Sequence, residues 1–337
     1  MDEISLLSVV LTLRPLAAVA TSAHLGRAAH AVLLKAIAQH DPALAGRLHD
    51  GPSAGSGPTG SGSAGSGQGS GLKPVTASPL IGLKRAEGLR PERTYTLRFT
   101  ALTAEAAAGL LAAVTPARGG KGRELRELEE LGPLGVGAVI DLDGAALRVE
   151  AVEPQSGNPN SSQIPEAERT GQAPNQQSAI NNPQSAIHPH PWAAQTSYEA
   201  LAAPWLLGRA QPERKITLQF ASPTTFKSGG KNVPVPLPEW VFGSLLEKWN
   251  AFAPVALPGE ARRFAAECLA LSRYELGTRG LPLKDGVKIG AVGQATYTAL
   301  NNDRYWLSLM NLLADFALYA GVGAGTTMGL GQCRRVG

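Results

Sequence analysis

Residues 319–335 read Tyr-Ala-Gly-Val-Gly-Ala-Gly-Thr-Thr-Met-Gly-Leu-Gly-Gln-Cys-Arg-Arg, with five glycines followed by two arginines. Glycine admits positive φ angles and lets another backbone come close, because it has no Cβ. A loop of this kind can present a row of backbone N–H groups, which suits an anion such as phosphate. The stretch is therefore predicted to bind a polyanion through Gly321, Gly323, Gly325, Gly329, Gly331, Arg334 and Arg335.

The flanks of this loop predict its place in the fold. Tyr305 to Ala320 carries apolar residues at steps of three and four, which predicts a helix. Gly331 to Val336 is predicted to be a short strand. The order helix, glycine loop, strand differs from Rossmann and Walker loops, which follow a strand and open a helix. A loop that merely needs tight turns is the alternative interpretation.

The same loop resembles the C-terminal glycine-rich loop of the CRISPR RAMP superfamily. Within that superfamily it is most similar to the stand-alone endoribonucleases that cut CRISPR precursor RNA into guide RNAs. Further resemblance lies in Asp41–Asp50, Phe220–Phe226, Val233–Pro236 and Leu245–Asn250, in the family's order. Together the similar segments span about two thirds of the chain.

The resemblance implies an α+β fold of two tandem ferredoxin-like (RRM-like) domains. It also implies an endoribonuclease that binds repeat RNA and uses the 2′-hydroxyl as nucleophile, leaving 2′,3′-cyclic phosphate and 5′-hydroxyl ends. No metal and no cofactor are expected. The expected partners are precursor crRNA and a CRISPR effector complex, with the protein as a monomer or homodimer.

The length and element pattern agree with two domains. The 337 residues have room for two cores. Residues 1–154 are expected to form a first ferredoxin-like domain, in the order β-α-β-β-α-β with a hairpin at Asp143-Gly144 and with Thr103 capping the helix that runs to Val114. A Gly/Ser-rich insert at 51–71 and a linker at 155–197 are expected to be disordered. Residues 198–337 are expected to repeat the plan, with a hairpin within 287–300 through Gly290 and Gly293.

Charge and cysteine content narrow the function classes. Residues 200–337 contain fifteen Lys/Arg and nine Asp/Glu, a net +6 that favours phosphate contacts in this half. Cys268 and Cys333 have no metal-ligand spacing, which fits a reducing cytoplasm. The apolar run after Asp2 and Glu3 is interrupted by Arg14-Pro15, so we expect a buried strand with no membrane association.

Metal-free RNA cleavage needs a base, an acid and positive charge beside the phosphorane. Histidine suits proton transfer near neutral pH, and no paired Asp/Glu cluster suggests a two-metal site. His49 ends a predicted helix beside the Gly/Ser insert, and it aligns with the family's catalytic histidine. Leu34 stands where some members have a tyrosine. Weaker candidates are His30, which could simply be a packed helix residue, His40, and Lys73, which could be a solvated lysine.

The remaining histidines and cations have smaller roles in this hypothesis. His24 precedes the first helix, while His188 and His190 are expected to be idle in the linker. Additional RNA contacts are predicted from Arg273, Arg279, Lys284 and Lys288, and more weakly from Arg118, Lys121 and Arg123, any of which could be a solvated charge.

Two other function classes stay open. A non-catalytic RAMP subunit that coats guide RNA would share the glycine loop, and the missing tyrosine and the Gly/Ser insert beside His49 keep this alternative open. A ferredoxin-like small-molecule enzyme has no supporting pocket motif.

Overall fold

Two antiparallel sheets, each covered by helices, organise the chain. The computed structural model describes residues 3–20, 25–50, 71–81, 83, 88–115, 132–153, 190–283 and 286–337. The N-terminal elements are β1 (Leu6–Pro15), α1 (Leu25–His40), α2 (Pro42–Asp50), β2 (Val75–Ala77), β3 (Tyr95–Ala101), α3 (Ala104–Val114), β4 (Val139–Leu142), β5 (Ala145–Glu153) and β6 (Ala194–Thr196). The C-terminal elements are α4 (Tyr198–Leu206), β7 (Lys215–Thr224), β8 (Phe226–Ser228), β9 (Lys231–Val233), α5 (Pro238–Phe252), α6 (Glu260–Cys268), β10 (Leu269–Leu283), β11 (Gly286–Ala299), α7 (Arg304–Ala320) and β12 (Cys333–Val336).

The N-terminal sheet has the order β2-β3-β1-β5-β4, with β6 paired to the start of β1. Successive side chains of a strand point to opposite faces. Leu7, Val9, Leu11 and Leu13 of β1 therefore share one face, where they form a core with residues of α1 and α3. The other face carries polar residues such as Ser8 and Thr12.

The C-terminal sheet has the order β10-β11-β7-β12. Ile216, Leu218 and Phe220 of β7 pack in a second core with α5 and α7. This order matches β2-β3-β1-β5 of the N-terminal sheet. In both sheets the first strand, β1 or β7, lies between an antiparallel strand pair and one later strand, β5 or β12. Mixed α/β architecture with antiparallel sheets is thus established. None of the described helices is long and apolar enough to cross a membrane.

Several local predictions are confirmed. Helix, glycine loop and strand follow one another at the C-terminal end, as α7, residues 321–332 and β12. Asp143 and Gly144 have φ angles of 57° and 85°, as a type I′ hairpin turn requires. The side chain of Thr103 accepts a hydrogen bond from the Ala106 N–H and so caps α3.

The predicted hairpin within 287–300 is wrong. Residues 286–299 form one continuous strand, β11, whose hairpin partner is β10. Gly290 marks a close approach, since a Cβ there would lie 2.5 Å from the Thr224 nitrogen. Gly293 has a φ angle of 125° and ends a register shift between β11 and β7. These glycines therefore serve a bulge and a backbone contact, not a turn.

The expected linker ends earlier than residue 197. Trp192 is 6% exposed, and Leu6 pairs with Thr196 where β6 joins β1. A buried indole and a strand pairing therefore fix residues 190–197, the last part of the expected linker. Residues 154–189 and 51–70 lie outside the described part of the chain.

The glycine loop, Gly321–Gly331, is packed between the two halves. A Cβ on Gly26 of α1 would lie 2.2 Å from the carbonyl oxygen of Met328. A Cβ on Gly329 would lie 3.1 Å from the Gly26 Cα and 3.2 Å from the Pro79 nitrogen. Gly329 also has a φ angle of 90°, which favours glycine. The loop thus contacts both α1 and the segment after β2.

Arg98 of β3 forms a second joint between the halves. Its side chain is fully buried, and its Nε donates to the Ser8 hydroxyl at 2.8 Å and to the Trp192 carbonyl at 3.3 Å. Its Nη1 donates to the side-chain oxygen of Gln332, just after the glycine loop. Burial lowers the pKa of Arg98 to about 9. The guanidinium is thus held by neutral oxygens and by the Trp192 ring, 5.2 Å away.

The Gly26 contact gives a matched test of this packing. Gly26→Ala should lower the free energy of unfolding by about 2 kcal/mol or more, because backbone must shift to admit the methyl group. Gly46→Ala on α2 is the control, since its Cβ would meet nothing within 4 Å. That control should be neutral or stabilising by up to about 1 kcal/mol. Urea denaturation of both variants measures the difference, and equal stabilities would contradict the tight contact.

Candidate functional site

The α1–α2 helical hairpin brings two histidines near each other. Asp41 lies between the helices, and its carboxylate accepts from the Leu44 N–H at 2.8 Å. His49, near the end of α2, lies close enough to His30 of α1 for its positive charge to lower the pKa of His30. The Lys73 ammonium donates to the backbone carbonyl of His49. His30, His49 and Lys73 are called the imidazole–amine cluster below.

The three members of the cluster have different environments. His49 is exposed, Lys73 is half-buried, and the His30 Nδ1 is buried without a hydrogen-bond partner among the described residues. Burial, and after it the positive charges of Lys73 and His49, together lower the pKa of His30 to about 4. His30 is therefore a neutral imidazole at pH 7. The cluster combines one accessible imidazole, one neutral imidazole and one cation.

Other predicted acid–base residues lie elsewhere. His40 is ten residues along α1 from His30, which is about 15 Å at 1.5 Å per residue. Leu34 is half-buried against the N-terminal core. His190 makes local structural contacts, because its Nδ1 accepts from the Trp192 backbone N–H and its own backbone N–H donates to the Glu153 carboxylate. His24 and His188 lie outside the described residues.

Most amides of the glycine loop are not bare. Gly321, Gly323 and Gly331 donate their N–H groups to the Ala317 carbonyl, the Ser244 hydroxyl and the Pro223 carbonyl. Val322 donates to Gly331, which closes the loop at its base, and Ala324 donates to Thr225. The prediction that the whole loop offers free donors is therefore wrong. The half-buried stretch 323–328 is the part that reaches toward solvent.

The loop nevertheless lies beside the imidazole–amine cluster. Gly26, which contacts Met328 of the loop, precedes His30 by four residues on α1. Residues four apart lie on the same face of a helix, about 6 Å apart along its axis. One turn of α1 therefore separates the glycine loop from His30. Residues from both ends of the sequence meet at this position.

Arg335 is not a free cation, contrary to its predicted role. Its Nη1 lies 3.1 Å from Asp315 and its Nη2 lies 2.9 Å from Glu213 and 2.7 Å from the Asn311 oxygen. Trp205 donates its indole N–H to Asp315 at 2.8 Å and also stacks against Arg335. Burial raises the pKa of Asp315, although Arg335 opposes this. Arg335 therefore ties β12 to α7.

Arg334 points to the opposite face of β12. Its Nε donates to the Gln219 side chain at 2.8 Å, and its guanidinium lies 5.2 Å from the Trp192 ring. Arg98 lies at the same distance from that ring. Trp192 is thus contacted by two arginines, and Arg334 stays half-buried at the edge of the sheet.

The predicted basic run lies on the long hairpin formed by β10 and β11. Arg273 pairs opposite Thr296, Arg279 opposite Gly290, and Lys288 opposite Leu281, so the three cations share one face. Arg273 also forms an exposed ion pair with Glu275 at 2.9 Å. Lys284 lies outside the described residues, as do Arg118, Lys121 and Arg123. No group of metal-ligating side chains occurs among the residues that the structure describes.

Lys248 is a residue that the sequence interpretation missed. Its ammonium is buried and donates to the carbonyls of Ala320 and Gly321 at 3.1 and 2.9 Å. It therefore caps the C-terminus of α7 where the glycine loop begins. Burial lowers the pKa of Lys248 to about 7. Its position on an apolar helix face was the only signal in the sequence.

The sequence of this chain is similar to CRISPR-associated endoribonucleases. The family model of CRISPR-associated endoribonuclease Cas6 matches residues 218–333. Curated Cas6 endoribonucleases from two Mycobacterium tuberculosis strains, CDC 1551 and H37Rv, are 31% identical over 134 residues. The aligned part covers 37% of this chain and 40% of those relatives. The resemblance to the Cas6-type RAMP endoribonucleases is confirmed.

Solved structures extend the likeness to the whole fold. Thermus thermophilus Cas6 is 21% identical with a TM-score of 0.61, and all of both chains is covered. A Cas6 product complex gives 22% identity and a TM-score of 0.63, covering 98% of this chain and 100% of that one. A RAMP protein described as binding different RNA substrates is 10% identical with a TM-score of 0.52. The match covers 98% of this chain and 100% of that chain. At these identities the likeness establishes the fold alone.

The environment of His30 predicts a pH dependence of stability. Its pKa falls from an ordinary 6.5 to about 4 on folding, so the unfolded chain binds more protons between these values. The free energy of unfolding should therefore rise with pH from about 4 to 6.5, by up to about 3 kcal/mol from this group. His30→Gln should flatten that part of the profile in urea denaturation series. An unchanged profile would contradict the buried neutral imidazole.

The Arg335 network predicts a stability effect that an exposed arginine does not share. Arg335→Ala leaves Asp315 buried without its cation and should cost about 3 kcal/mol. Arg273→Ala removes a pair whose side chains are 77% and 73% exposed and should cost less than about 1 kcal/mol. Thermal and urea unfolding of both variants provide the measurement. Equal losses would show that Arg335 does not hold β12 to α7.

Proposed function

We propose that the chain binds CRISPR repeat RNA and cleaves precursor crRNA without a metal ion. The 2′-hydroxyl would attack the adjacent phosphate, giving 2′,3′-cyclic phosphate and 5′-hydroxyl ends. The observation that carries the proposal is the imidazole–amine cluster, one helical turn from the glycine loop. The match of residues 218–333 to the Cas6 family supports the same activity.

The roles of the cluster follow from its chemistry. His49 is the accessible imidazole and exchanges protons with the reacting oxygens. His30 is neutral at pH 7 and its Nδ1 is buried, so it contributes an uncharged imidazole beside His49 rather than a direct contact with the 2′-hydroxyl. Lys73 uses one of its three N–H donors on the His49 carbonyl and retains two for the phosphorane oxygens. His40 has no part in this arrangement.

RNA binding is assigned to the outer part of the glycine loop and to the β10–β11 hairpin. Gly325 and Gly329 lie in or beside the stretch that reaches toward solvent, while Arg273, Arg279 and Lys288 share one hairpin face. Related solved structures are Cas6 complexes with a product and with a substrate mimic, which supports an RNA partner. The proposal includes a monomer or homodimer that passes its product to a CRISPR effector complex.

The domain plan also belongs to the proposal. Residues 1–154 and 198–337 are interpreted as two tandem ferredoxin-like domains, which the matching strand order of the two sheets supports. Because β6 pairs with β1, residues 194–196 belong with the first sheet.

A non-catalytic guide-RNA-binding RAMP subunit is the second candidate. The apolar Leu34, where some family members have a tyrosine, favours it. In that case the same surfaces would hold RNA, and the imidazole–amine cluster would have no substrate proton to move.

Cleavage of labelled repeat RNA in EDTA separates the two candidates. Wild-type protein should cut, and His49→Ala should lower the single-turnover rate by about 100-fold or more, as expected when an acid–base group is lost. His40→Ala is the matched control and should cut at the wild-type rate. Lys73→Met should reduce the rate while RNA affinity stays within about threefold, because it acts on the transition state.

The contrary outcomes are specific. Tight binding with no cut by the wild type would support the coating subunit. A His49→Ala protein that cuts at the wild-type rate would remove His49 from the mechanism.

A further inference from the structure

The C-terminal sheet has a polar face opposite its core. Strand β7 alternates between buried Ile216, Leu218 and Phe220 and the residues Lys215, Thr217 and Gln219, which are half-buried or exposed. On β11 the partners of these three are Thr298, Thr296 and Gln294. Paired residues of adjacent strands lie on the same face. These six side chains define the polar sheet face.

Strand register adds cations to the same face. Arg334 pairs opposite Gln219, and Arg273 pairs opposite Thr296. Continuing along the hairpin, Arg279 and Lys288 follow at even spacing and so share this face. With Lys215 these make five cations, against one carboxylate, Glu275, opposite Gln294. The difference, 5 − 1, leaves a net charge of +4 on one side of the sheet.

The polar sheet face is open to a ligand where β7 begins. A depression of about 460 Å³ lies there, lined by Glu213, Arg214, Lys215 and Thr298. Arg214 also donates to the Ala299 carbonyl at 2.9 Å, which holds its guanidinium beside the depression. A polyanion could therefore run from this depression along the sheet to the β10–β11 hairpin.

The side chains between the cations identify the ligand class. Threonine hydroxyls and glutamine amides both donate and accept hydrogen bonds, so they suit 2′-hydroxyls and free base edges. Base stacking is not the mode of contact, because the Trp192 ring is already covered by Arg98 and Arg334. Tyr274 pairs with Ala295 and so belongs to the opposite face. Base edges are free only in an unpaired strand.

We propose that the polar sheet face binds a stretch of unpaired RNA through its phosphates, 2′-hydroxyls and base edges. This surface adds Lys215, Thr217, Gln219, Thr296 and Thr298 to the RNA contacts, none of which lies in the glycine loop or the imidazole–amine cluster. The inference rests on the proposed function, because it takes RNA as the substrate. It assigns to this face the unpaired part of that RNA.

The test measures binding separately from cleavage. His49→Ala protein is titrated against a fluorescein-labelled unstructured 12-nucleotide RNA and against DNA of the same sequence, with fluorescence anisotropy at several salt concentrations. Lys215→Glu combined with Arg279→Glu should weaken RNA binding at least about tenfold and reduce the salt slope by about 1.4, or 0.7 for each lost phosphate contact. Circular dichroism melts confirm folding.

Two further variants sharpen the comparison. Lys227→Glu with Arg263→Glu makes the same charge change on exposed positions off the face, in β8 and in α6, and should weaken binding less than about threefold. Thr217→Val with Thr296→Val changes no charge and removes two hydroxyls that lie 2.9 Å apart. It should abolish the preference for RNA over DNA.

The outcomes separate this inference from the proposed cleavage. No binding of the 12-nucleotide RNA, equal weakening by the on-face and off-face charge pairs, or equal wild-type affinity for RNA and DNA would each overturn it. If wild-type protein fails to cut repeat RNA but the on-face charge pair still weakens RNA binding as predicted, the result supports the binding face and contradicts the nuclease.

Discussion

The contact between Gly26 and the Met328 carbonyl is the constraint on which the arrangement depends. A side chain on Gly26 would push the Met328 carbonyl away. The loop cannot easily move to admit it, because the hydrogen bond from Val322 to Gly331 closes the loop on itself. The contact joins a helix of the first half to the last loop of the second. It therefore sets where His30, one turn further along α1, lies relative to the C-terminal sheet.

Three buried or half-buried cations lie around the glycine loop and the strand that follows it, and each is accommodated differently. Lys248 is bound to carbonyls at the end of α7, where the helix dipole favours positive charge. Arg98 is held by neutral oxygens and an indole, at the cost of a lowered pKa. Arg335 has true countercharges in Asp315 and Glu213. Only the last arrangement neutralises the charge. Arg335 is absent from the polar sheet face because it pairs opposite Leu218 and so points to the other side of β12.

Local sequence signals predicted local structure well. The Asp143-Gly144 turn, the Thr103 cap and the helix–loop–strand order all depend on residues within a few positions of one another. The glycine loop was interpreted correctly as a place of close approach and wrongly as a row of free donors. Several of its amides donate hydrogen bonds to oxygens of Ser244, Thr225 and Pro223, which lie about 80 to 110 residues earlier in the sequence. Such pairings depend on tertiary packing, as do the register of β11 and the ion pairs of Arg335.

Hydrogen–deuterium exchange of the glycine-loop amides in RNA-free protein tests the account most directly. The amides of Val322, Gly323, Ala324 and Gly331 should exchange slowly, with protection like that of β12, because each is bonded within the protein. Fast exchange at these four amides, with protection appearing only when RNA is added, would contradict the account. The loop would then be an open anion receptor, and the joint between the halves would have to lie elsewhere.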